Sequence, residues 1–531
     1  MNRLSYAAAV WALSGLIGCA PTPKGFAQVG ASPSRATEKE RSAVAGIELE
    51  AGPERSEVLS GEPLYVRVSM TNLRRSPVQA PSVVDTPPWV FRLEGRDAAA
   101  KYQISARGHL SQLQLNYTPP DESQPIRTPE TQTLRPMSRL EYRIDLQGFV
   151  TEPIAPGKYN LTAEYRFEGE TIRSVPIPLA VVAPNVTALA SLRHPEGTFA
   201  SAFLHQASDG SSVLYQRESL PRESPGAVAY SRVVTPPGRS IDSFALGWPG
   251  AGGSARWIGW IEGDAIHAAL GEGDKVWAQI DATSTKLRGP VLARPAHQLP
   301  DGHVVFFAHG LKEDRPFLHR ITLKSQEPPA IAAVELPSLP QGTVLARYVG
   351  TTLFLVWSDR ADGRYALKAV ACSFGGGEPK GVERALVSAD SPILAFDLSP
   401  LGATPGDVDV LLGAADGSLS LEYRRVPLVG GRAASSWKLP DPGLKSGEQA
   451  AAWAVLAGDA DHAPVALLTA TRLLNIDARS SADWKSREVA AEGRYLTLFR
   501  VLAGPYSAGP KSSLWATWAD RQTGMRHLKI D

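Results

Sequence analysis

A strand-turn-strand segment recurs seven times between residue 184 and the end of the 531-residue chain. In each copy two mostly apolar runs flank a short polar turn, and the turns fall near residues 209, 263, 312, 361, 416, 470 and 522. The spacing of about 49 to 55 residues fits one four-stranded β-sheet per copy. Seven such sheets in succession predict a ring, because each sheet can bury its faces against its neighbours.

Two copies share residues at a constant offset of 161 positions. An Asp at a strand end can accept hydrogen bonds from turn backbone, and a Gly can supply a positive φ, so the shared types favour a structural role. The hairpin resembles those of bacterial β-propellers with sialidase-type repeats, although no copy has the strict Ser-x-Asp-x-Gly-x-x-Trp motif. This resemblance implies a seven-bladed β-propeller over 184–531. The shared pairs are Trp357 and Trp518, Asp359 and Asp520, Arg360 and Arg521, Gly363 and Gly524, Leu367 and Leu528, and Lys368 and Lys529.

A candidate inner strand precedes each hairpin. The seventh copy reaches the end of the sequence after three strands, so we expect the segment around Val175–Leu189 to supply its fourth strand and close the ring. The candidate inner strands are Thr187–Leu192, Asp242–Trp248, Leu292–Leu299, Val344–Val349, Ile393–Leu398, Ala450–Leu456 and Leu496–Leu502.

Residues 46–183 alternate apolar and polar positions in short runs, which predicts an antiparallel β-sandwich and an all-β chain. The segment from Pro156 through Tyr159 resembles a strand start of immunoglobulin-like modules, and Tyr159 stands where that fold places a tyrosine corner. Such a module either binds a partner or serves as a spacer. The predicted strands are Ile47–Glu50, Leu64–Leu73, Trp89–Glu94, Gln103–Ala106, Leu113–Asn116, Arg139–Leu146, Lys158–Phe167 and Thr171–Val182.

The N-terminus has the pattern of a targeting signal. Residues 1–18 combine one Arg with an apolar run too short to span a bilayer. The sequence Leu16-Ile17-Gly18-Cys19 resembles the bacterial lipobox, which implies cleavage before Cys19 and its lipidation, including palmitate. Ala20 after the Cys then implies outer-membrane sorting. Residues 19–45 are expected to be a flexible tether, and Cys372, the other cysteine, a buried lone thiol.

Composition and motifs exclude several functions. With 55 basic and 54 acidic side chains there is no net field for nucleic acid. His-Glu-x-x-His, Cys-x-x-Cys, phosphate-loop and Gly-x-Ser-x-Gly patterns are absent, so we assign no catalytic residue, metal or cofactor. Ser435 and Lys438 match Ser-x-x-Lys, but in a predicted strand they face opposite ways. Asp407 and Asp409 are interpreted as solvated loop acids. Four histidines of the third repeat are more consistent with ordinary surface or satisfied residues than with a metal site: His297, His303, His309 and His319.

Charged residues on the predicted inner strands are the candidate ligand-binding positions, because these strands line the channel of a propeller. They are Arg294, Arg347, Asp397 and Arg500. Three arginines around one funnel would clamp a carboxylate. The alternative is a set of solvated channel charges.

Three functions remain open at this point. The first is a lipid-anchored, non-enzymatic envelope protein that binds or scaffolds a protein or glycan partner. The second is a propeller hydrolase or lyase that acts on an acidic polysaccharide through Arg294, Arg347 and Arg500. The third hypothesis is a purely structural component of the envelope.

Overall fold

A computed structural model describes residues 46–530, apart from several internal intervals. The intervals are 82–88, 96–100, 107–112, 116–130, 151–153, 168, 194–198, 220–230, 233–239, 248–255, 273–274, 299–302, 325–326, 362, 375–381, 399–405, 415–419, 431–432, 457–461, 490–492, 503–511 and 521–523. The predictions made for residues 1–45 lie outside this description. Within it, no helix is long and apolar enough to cross a bilayer.

The strands before residue 184 form a β-sandwich. One sheet has the order β1-β3-β9-β7 and the other β2-β12-β10-β5-β6, with β11 paired to β10 and a separate β4-β8 pair. All eight predicted strands are found, but the run predicted over Thr171–Val182 is two strands separated at residues 174–176, where Pro176 interrupts the pairing. The strands are β1 (Ile47–Pro53), β2 (Glu57–Leu59), β3 (Tyr65–Asn72), β4 (Val78–Pro81), β5 (Trp89–Gly95), β6 (Lys101–Ala106), β7 (Leu113–Leu115), β8 (Thr131–Leu134), β9 (Arg139–Asp145), β10 (Gly157–Phe167), β11 (Glu170–Arg173) and β12 (Ile177–Val182).

The two sheets share one core. Alternate residues of β3, such as Val66 and Val68, pack with Phe91 and Leu93 of the facing sheet, and all four are fully buried. The Tyr159 hydroxyl donates a hydrogen bond to the Ala155 carbonyl at 2.7 Å. This contact has the form of a tyrosine corner, as the sequence predicted.

Seven antiparallel sheets follow, numbered here as blades 1 to 7 in chain order, and the all-β prediction is confirmed. Six of the seven predicted inner strands overlap the first strand of their sheet over most of their length. The prediction Leu292–Leu299 shares only Leu292 with the first strand of blade 3, and Arg294 lies between that strand and the short strand His297–Gln298. The strands are β13 (Val186–Arg193), β14 (Phe199–Gln206), β15 (Ser212–Ser219) and β16 (Ser231–Arg232) in blade 1; β17 (Ser243–Gly247), β18 (Arg256–Glu262), β19 (Ala265–Glu272) and β20 (Lys275–Ser284) in blade 2; β21 (Arg288–Leu292), β22 (His297–Gln298), β23 (Val304–Lys312), β24 (Arg315–Lys324) and β25 (Glu327–Glu335) in blade 3; β26 (Val344–Val349), β27 (Thr352–Ala361), β28 (Arg364–Cys372) and β29 (Val382–Ala389) in blade 4; β30 (Ile393–Leu398), β31 (Asp407–Leu412), β32 (Leu421–Pro427) and β33 (Ser435–Leu439) in blade 5; β34 (Ala452–Val455), β35 (Pro464–Leu468), β36 (Arg472–Asp477) and β37 (Lys485–Glu488) in blade 6; and β38 (Gly493–Leu502), β39 (Ser512–Asp520) and β40 (Gly524–Lys529) in blade 7.

The first strands of the blades stand side by side in a ring. β38 of blade 7 lies next to β13 of blade 1, and a bridge between Arg294 and Leu345 joins blades 3 and 4. The prediction that Val175–Leu189 completes blade 7 is wrong. β12 pairs with β10 and β2 in the sandwich, and β13 is the inner strand of blade 1, so blade 7 has three strands among the described residues.

The two matching hairpins differ in register. Trp357 lies opposite Lys368, whereas Trp518 lies opposite Arg526, three positions before the matching Lys529. The last strand pair before the turn is Ala361 and Arg364 in blade 4 but Asp520 and Gly524 in blade 7. Asp359 therefore pairs with Lys368 at 2.8 Å, while Asp520 meets Arg526 at 3.4 Å. The constant sequence offset does not extend to the cross-strand partners.

The sandwich and the propeller share a small core of their own. Leu59 of β2 belongs to one buried cluster with Phe203 and Tyr215 of blade 1 and Met525 of blade 7. Beside it, the buried Glu62 carboxylate accepts hydrogen bonds from the Leu59 N–H at 3.0 Å and the Tyr215 hydroxyl at 3.1 Å, and it forms an ion pair with Arg55. Apolar and polar contacts together fix the sandwich at the seam where the ring closes.

Candidate functional site

The inner strands differ in burial around the ring. All of β17 in blade 2 is buried, whereas Ile393–Asp397 of β30 in blade 5 are half-buried. At the junction of blades 2 and 3, the Ala296 N–H donates to the Leu246 carbonyl at 2.8 Å. A Cβ atom on Gly247 would lie 2.7 Å from the Cβ of Ala296. The inner strands are thus tightly packed at blades 2 and 3 and accessible to solvent at blade 5. We term the surface formed by the inner strands and their ends the rim.

Arg347 of β26 faces this accessible region. Leu345 and Val349, two positions away on the same face of the strand, pack with the blade 5 core. The Arg347 side chain is buried, and this desolvation lowers the pKa of its guanidinium, while the attraction of Asp407 and Asp397 opposes the shift. An arginine stays protonated at neutral pH, so one buried cation stands in the field of two carboxylates. The structure therefore brings together two of the predicted site residues and adds Asp407.

The carboxylates belong to a wider polar network in blade 5. Asp397 lies opposite Asp409 in the register of β30 and β31, and its Oδ1 accepts the Leu398 N–H at 2.8 Å. Asp409 is buried and receives two hydrogen bonds from Arg425, both at 2.8 Å. Burial raises the pKa of Asp409, and the bonds from Arg425 work against that shift. The interpretation of Asp407 and Asp409 as solvated loop acids is wrong, since both lie in β31 and Asp409 is a buried ion-pair partner.

Arg294 is directed to another part of the ring. Its guanidinium donates to the Leu189 carbonyl of blade 1 at 2.9 Å and to the Phe244 carbonyl of blade 2 at 3.3 Å. It also stacks over the Phe244 ring, 4.6 Å from the centroid. Burial lowers the pKa of Arg294 to about 10, which still leaves it charged at neutral pH. Arg294 therefore ties three blades together on the packed side.

The remaining predicted site residues cannot be placed in this cluster. Arg500 lies in β38 opposite Leu514, but its side chain is outside the described part of the chain. Cys19, the predicted lipidation site, is outside it as well. The three-arginine clamp thus remains a hypothesis in which Arg294 and Arg347 have separate surroundings.

Three histidines of blade 3 are buried, not on the surface: His297, His309 and His319. Burial lowers the pKa of His297 and of His309 to about 4, so both are neutral at pH 7. His297 Nε2 lies 3.1 Å from the Ala346 carbonyl. Among the described residues, no three His, Cys, Asp or Glu side chains come together to hold a metal ion.

Comparisons with known proteins give only distant similarities. No protein-family model matches the chain, and no curated protein matches it significantly in sequence. Among solved structures, the NanB sialidase from Streptococcus pneumoniae aligns at 8% identity and a TM-score of 0.34 over 91% of this chain and 98% of that one. An ulvan lyase aligns at 7% identity and a TM-score of 0.33 over 66% and 94%. The SapL1 lectin, in complex with alpha methyl fucoside, aligns at 11% identity and a TM-score of 0.33 over 58% and 97%. Because these TM-scores are below 0.5, the description of the fold rests on the strand pairing of this chain.

Proposed function

We propose that this chain is a lipid-anchored envelope protein that binds a neutral glycan at the rim of blades 4 and 5, with the sandwich as a rigid stalk. The observation that carries the proposal is the cluster of Arg347, Asp397 and Asp407 at the accessible part of the rim. The Arg347 guanidinium attracts both carboxylates, and this attraction helps to fix their position.

The chemistry of this cluster suits sugar hydroxyl groups. An ionised carboxylate has two oxygens and about four acceptor sites, so Asp397 can keep its bond from Leu398 N–H and still accept from a ligand. Phe396, the preceding residue of the strand, points to the opposite face and packs against the core between blades 4 and 5. Two charged acceptors favour a polar, uncharged ligand with several hydroxyl donors.

An acidic polysaccharide suits the cluster less well. Two carboxylates oppose one guanidinium there, so a polyanion meets repulsion. Two Arg294 donors are already directed at backbone carbonyls, which removes that residue from a clamp around the same ligand. Hydrolase or lyase activity on such a polymer therefore stays the second hypothesis. The variants described below also test this hypothesis.

The anchor is proposed from the sequence alone. Leu16-Ile17-Gly18-Cys19 predicts a lipidated Cys19 and, with Ala20, retention in the outer membrane. Growth with a radioactive or alkyne-tagged palmitate should label the chain, and a Cys19→Ala variant should stay unlabelled. Equal labelling of both forms, or of neither, would refute lipidation at Cys19.

Glycan binding is tested by screening the chain against an array of neutral and acidic oligosaccharides. We expect a neutral ligand, and we expect Asp397→Asn with Asp407→Asn to weaken it at least about tenfold, the cost of losing hydrogen bonds to charged groups. The matched control is Asp390→Asn with Asp441→Asn, two exposed acids elsewhere on blades 4 and 5. Binding of acidic sugars that is lost in Arg347→Ala would support the second hypothesis instead. A folded chain that binds no glycan would refute both and leave a protein partner.

A further inference from the structure

Two adjacent loops at one end of the sandwich combine exposed apolar side chains with arginines. The loops are 73–77, with the sequence Leu-Arg-Arg-Ser-Pro, and 135–138, with the sequence Arg-Pro-Met-Ser. We propose that these loops, which we term the sandwich tip, dock onto an anionic phospholipid surface. The inference goes beyond glycan binding and concerns how the protein is oriented on its membrane.

Asn72, a fully buried residue at the end of β3, holds the two loops together. Its side-chain amide donates to the Ser76 carbonyl at 3.0 Å and to the Leu134 carbonyl at 2.9 Å. Its own carbonyl accepts the Met137 N–H at 2.7 Å, and its N–H donates to the Ser138 carbonyl at 3.1 Å. The tip is therefore a built surface with fixed backbone.

The apolar side chains of the tip face outward. Met137 is 72% exposed and Leu73 is 40% exposed, and among the other described large apolar residues of the sandwich only Val175, at 48%, is as exposed. Met137 also has a φ of 60°, in the left-handed region that costs energy for a residue with a side chain. Pro77 and Pro136 are exposed beside them. An outward methionine and leucine on a rigid backbone fit insertion at the boundary of headgroups and acyl chains.

The charge of the tip complements an anionic surface. Neither loop contains an acid, and Arg75 and Arg135 are exposed. Each arginine near such a surface strengthens binding about fivefold, the equivalent of about 1 kcal/mol. The combination of cationic and apolar groups favours a bilayer over a protein as the partner of the tip. An apolar contact with a protein does not require cations around it, whereas an anionic bilayer attracts both kinds of group.

The position of the tip agrees with a membrane-facing role. Gly46, the first described residue, accepts the Leu73 N–H at 2.8 Å, so the 27 residues from Cys19 to Ala45 join the sandwich at the tip. From there β1 runs along the sandwich to Pro53, and Arg55 and Leu59 at its far end meet the propeller. Seven residues of strand span roughly 20 Å. The tip and the propeller therefore lie at opposite ends of the sandwich.

The test uses the full-length chain reconstituted in phosphatidylglycerol-containing vesicles with an environment-sensitive dye on Met137→Cys and lipids that carry a quencher. A dye on Ile331→Cys, an exposed apolar position on the outer strand of blade 3, is the matched control. We expect strong quenching at 137 and little at 331. Arg75→Gln with Arg135→Gln should reduce the quenching at 137 several-fold, and vesicles of phosphatidylcholine alone should do the same.

The outcomes separate this inference from the lipid anchor. Vesicle flotation with no quenching at 137 would refute the docking tip and leave the anchor in place. Quenching at both positions would also refute it, because the propeller would then lie on the membrane. If the chain does not float with vesicles of either composition, both the tip and the anchor are refuted.

Discussion

The Tyr215 hydroxyl of blade 1 donates a hydrogen bond to the Glu62 carboxylate of the sandwich at 3.1 Å, across 153 positions of the sequence. Glu62 also holds the Leu59 backbone and Arg55. Because the adjoining apolar cluster includes Met525 from blade 7, this junction covers the seam between the first and last blades. The sandwich thus stabilises the junction between the first and last blades. The sequence predicts this role for a fourth strand of blade 7 instead.

Removal of one hydrogen bond from this junction should weaken the fold. In Tyr215→Phe the ring stays buried but the Glu62 carboxylate loses a donor, so we expect a loss of about 1–3 kcal/mol in the free energy of unfolding. Urea denaturation measures it. Glu57→Gln, at an exposed contact with Ser208, is the control and should change stability by less than about 0.5 kcal/mol. Equal effects of the two substitutions would contradict a special role for the Glu62 carboxylate, since Glu57 also contacts blade 1.

The buried histidines should make the protein less stable in mild acid. Histidine in the unfolded chain has a pKa of about 6.5, whereas burial lowers the pKa of His309 in the native state to about 4. Between these values the unfolded state binds the extra proton, so stability is complete above pH 6.5 and falls as the pH drops toward 4. At about pH 5 we expect a loss of roughly 2 kcal/mol for each such histidine, measured by urea denaturation.

A substitution identifies the group responsible for this slope. His309→Leu should reduce the dependence of stability on pH between about pH 7 and pH 5 by the share of one histidine, while His297 keeps its own contribution. Phe306→Leu, a core change in the same strand, should lower stability at every pH and leave the slope unchanged. A slope that is the same in His309→Leu and in the unaltered protein would contradict the assignment.

Arg294 should matter for the ring and not for the ligand. Arg294→Met removes the donors to the Leu189 and Phe244 carbonyls, and we expect a loss of about 1–3 kcal/mol by thermal or urea unfolding. Glycan affinity should stay within about twofold, because the cluster around Arg347 is intact. Arg360→Met, at an exposed position, serves as the stability control. A folded Arg294→Met variant that loses its ligand would place Arg294 in the binding site.

Cys372 should be unreactive in the folded protein. Its thiol is fully buried, and burial raises the pKa of Cys372 to about 12. Since the thiolate is the reactive form, iodoacetamide at about pH 8 should modify this residue only after denaturation. Mass spectrometry of the tryptic peptide measures the modified fraction. Rapid labelling of the native chain would show that blade 4 opens readily.

The sequence pattern was sufficient for the repeat and the inner strands because strand periodicity is local. Outside blade 3, each first strand lies within a few residues of its prediction, and Tyr159 forms the predicted contact. The cross-strand partners of residues in these strands could not be predicted in this way. The equal offset between Trp357 and Trp518 concealed different cross-strand neighbours, since register depends on the turn and not on residue identity.

The candidate site was predicted only in part for the same reason. Arg347 and Asp397 are candidates because they are charged residues on predicted inner strands. The sequence pattern assigns Asp407 to a loop, since a sequence alone does not tell a strand end from a loop. Arg294 is predicted on an inner strand but lies between β21 and β22. Its carbonyl partners in blades 1 and 2 are set by ring closure, which a local sequence pattern does not show.

The central claim is that a glycan binds at the accessible rim between blades 4 and 5. Hydrogen–deuterium exchange of the full chain, with and without the best ligand from the array, tests it most directly. We predict protection of the peptides that cover Ile393–Leu398 and Asp407–Leu412, and unchanged exchange over Ser243–Gly247 on the packed side. Protection that spares both blade 5 segments and falls elsewhere on the chain would contradict the assignment of the site.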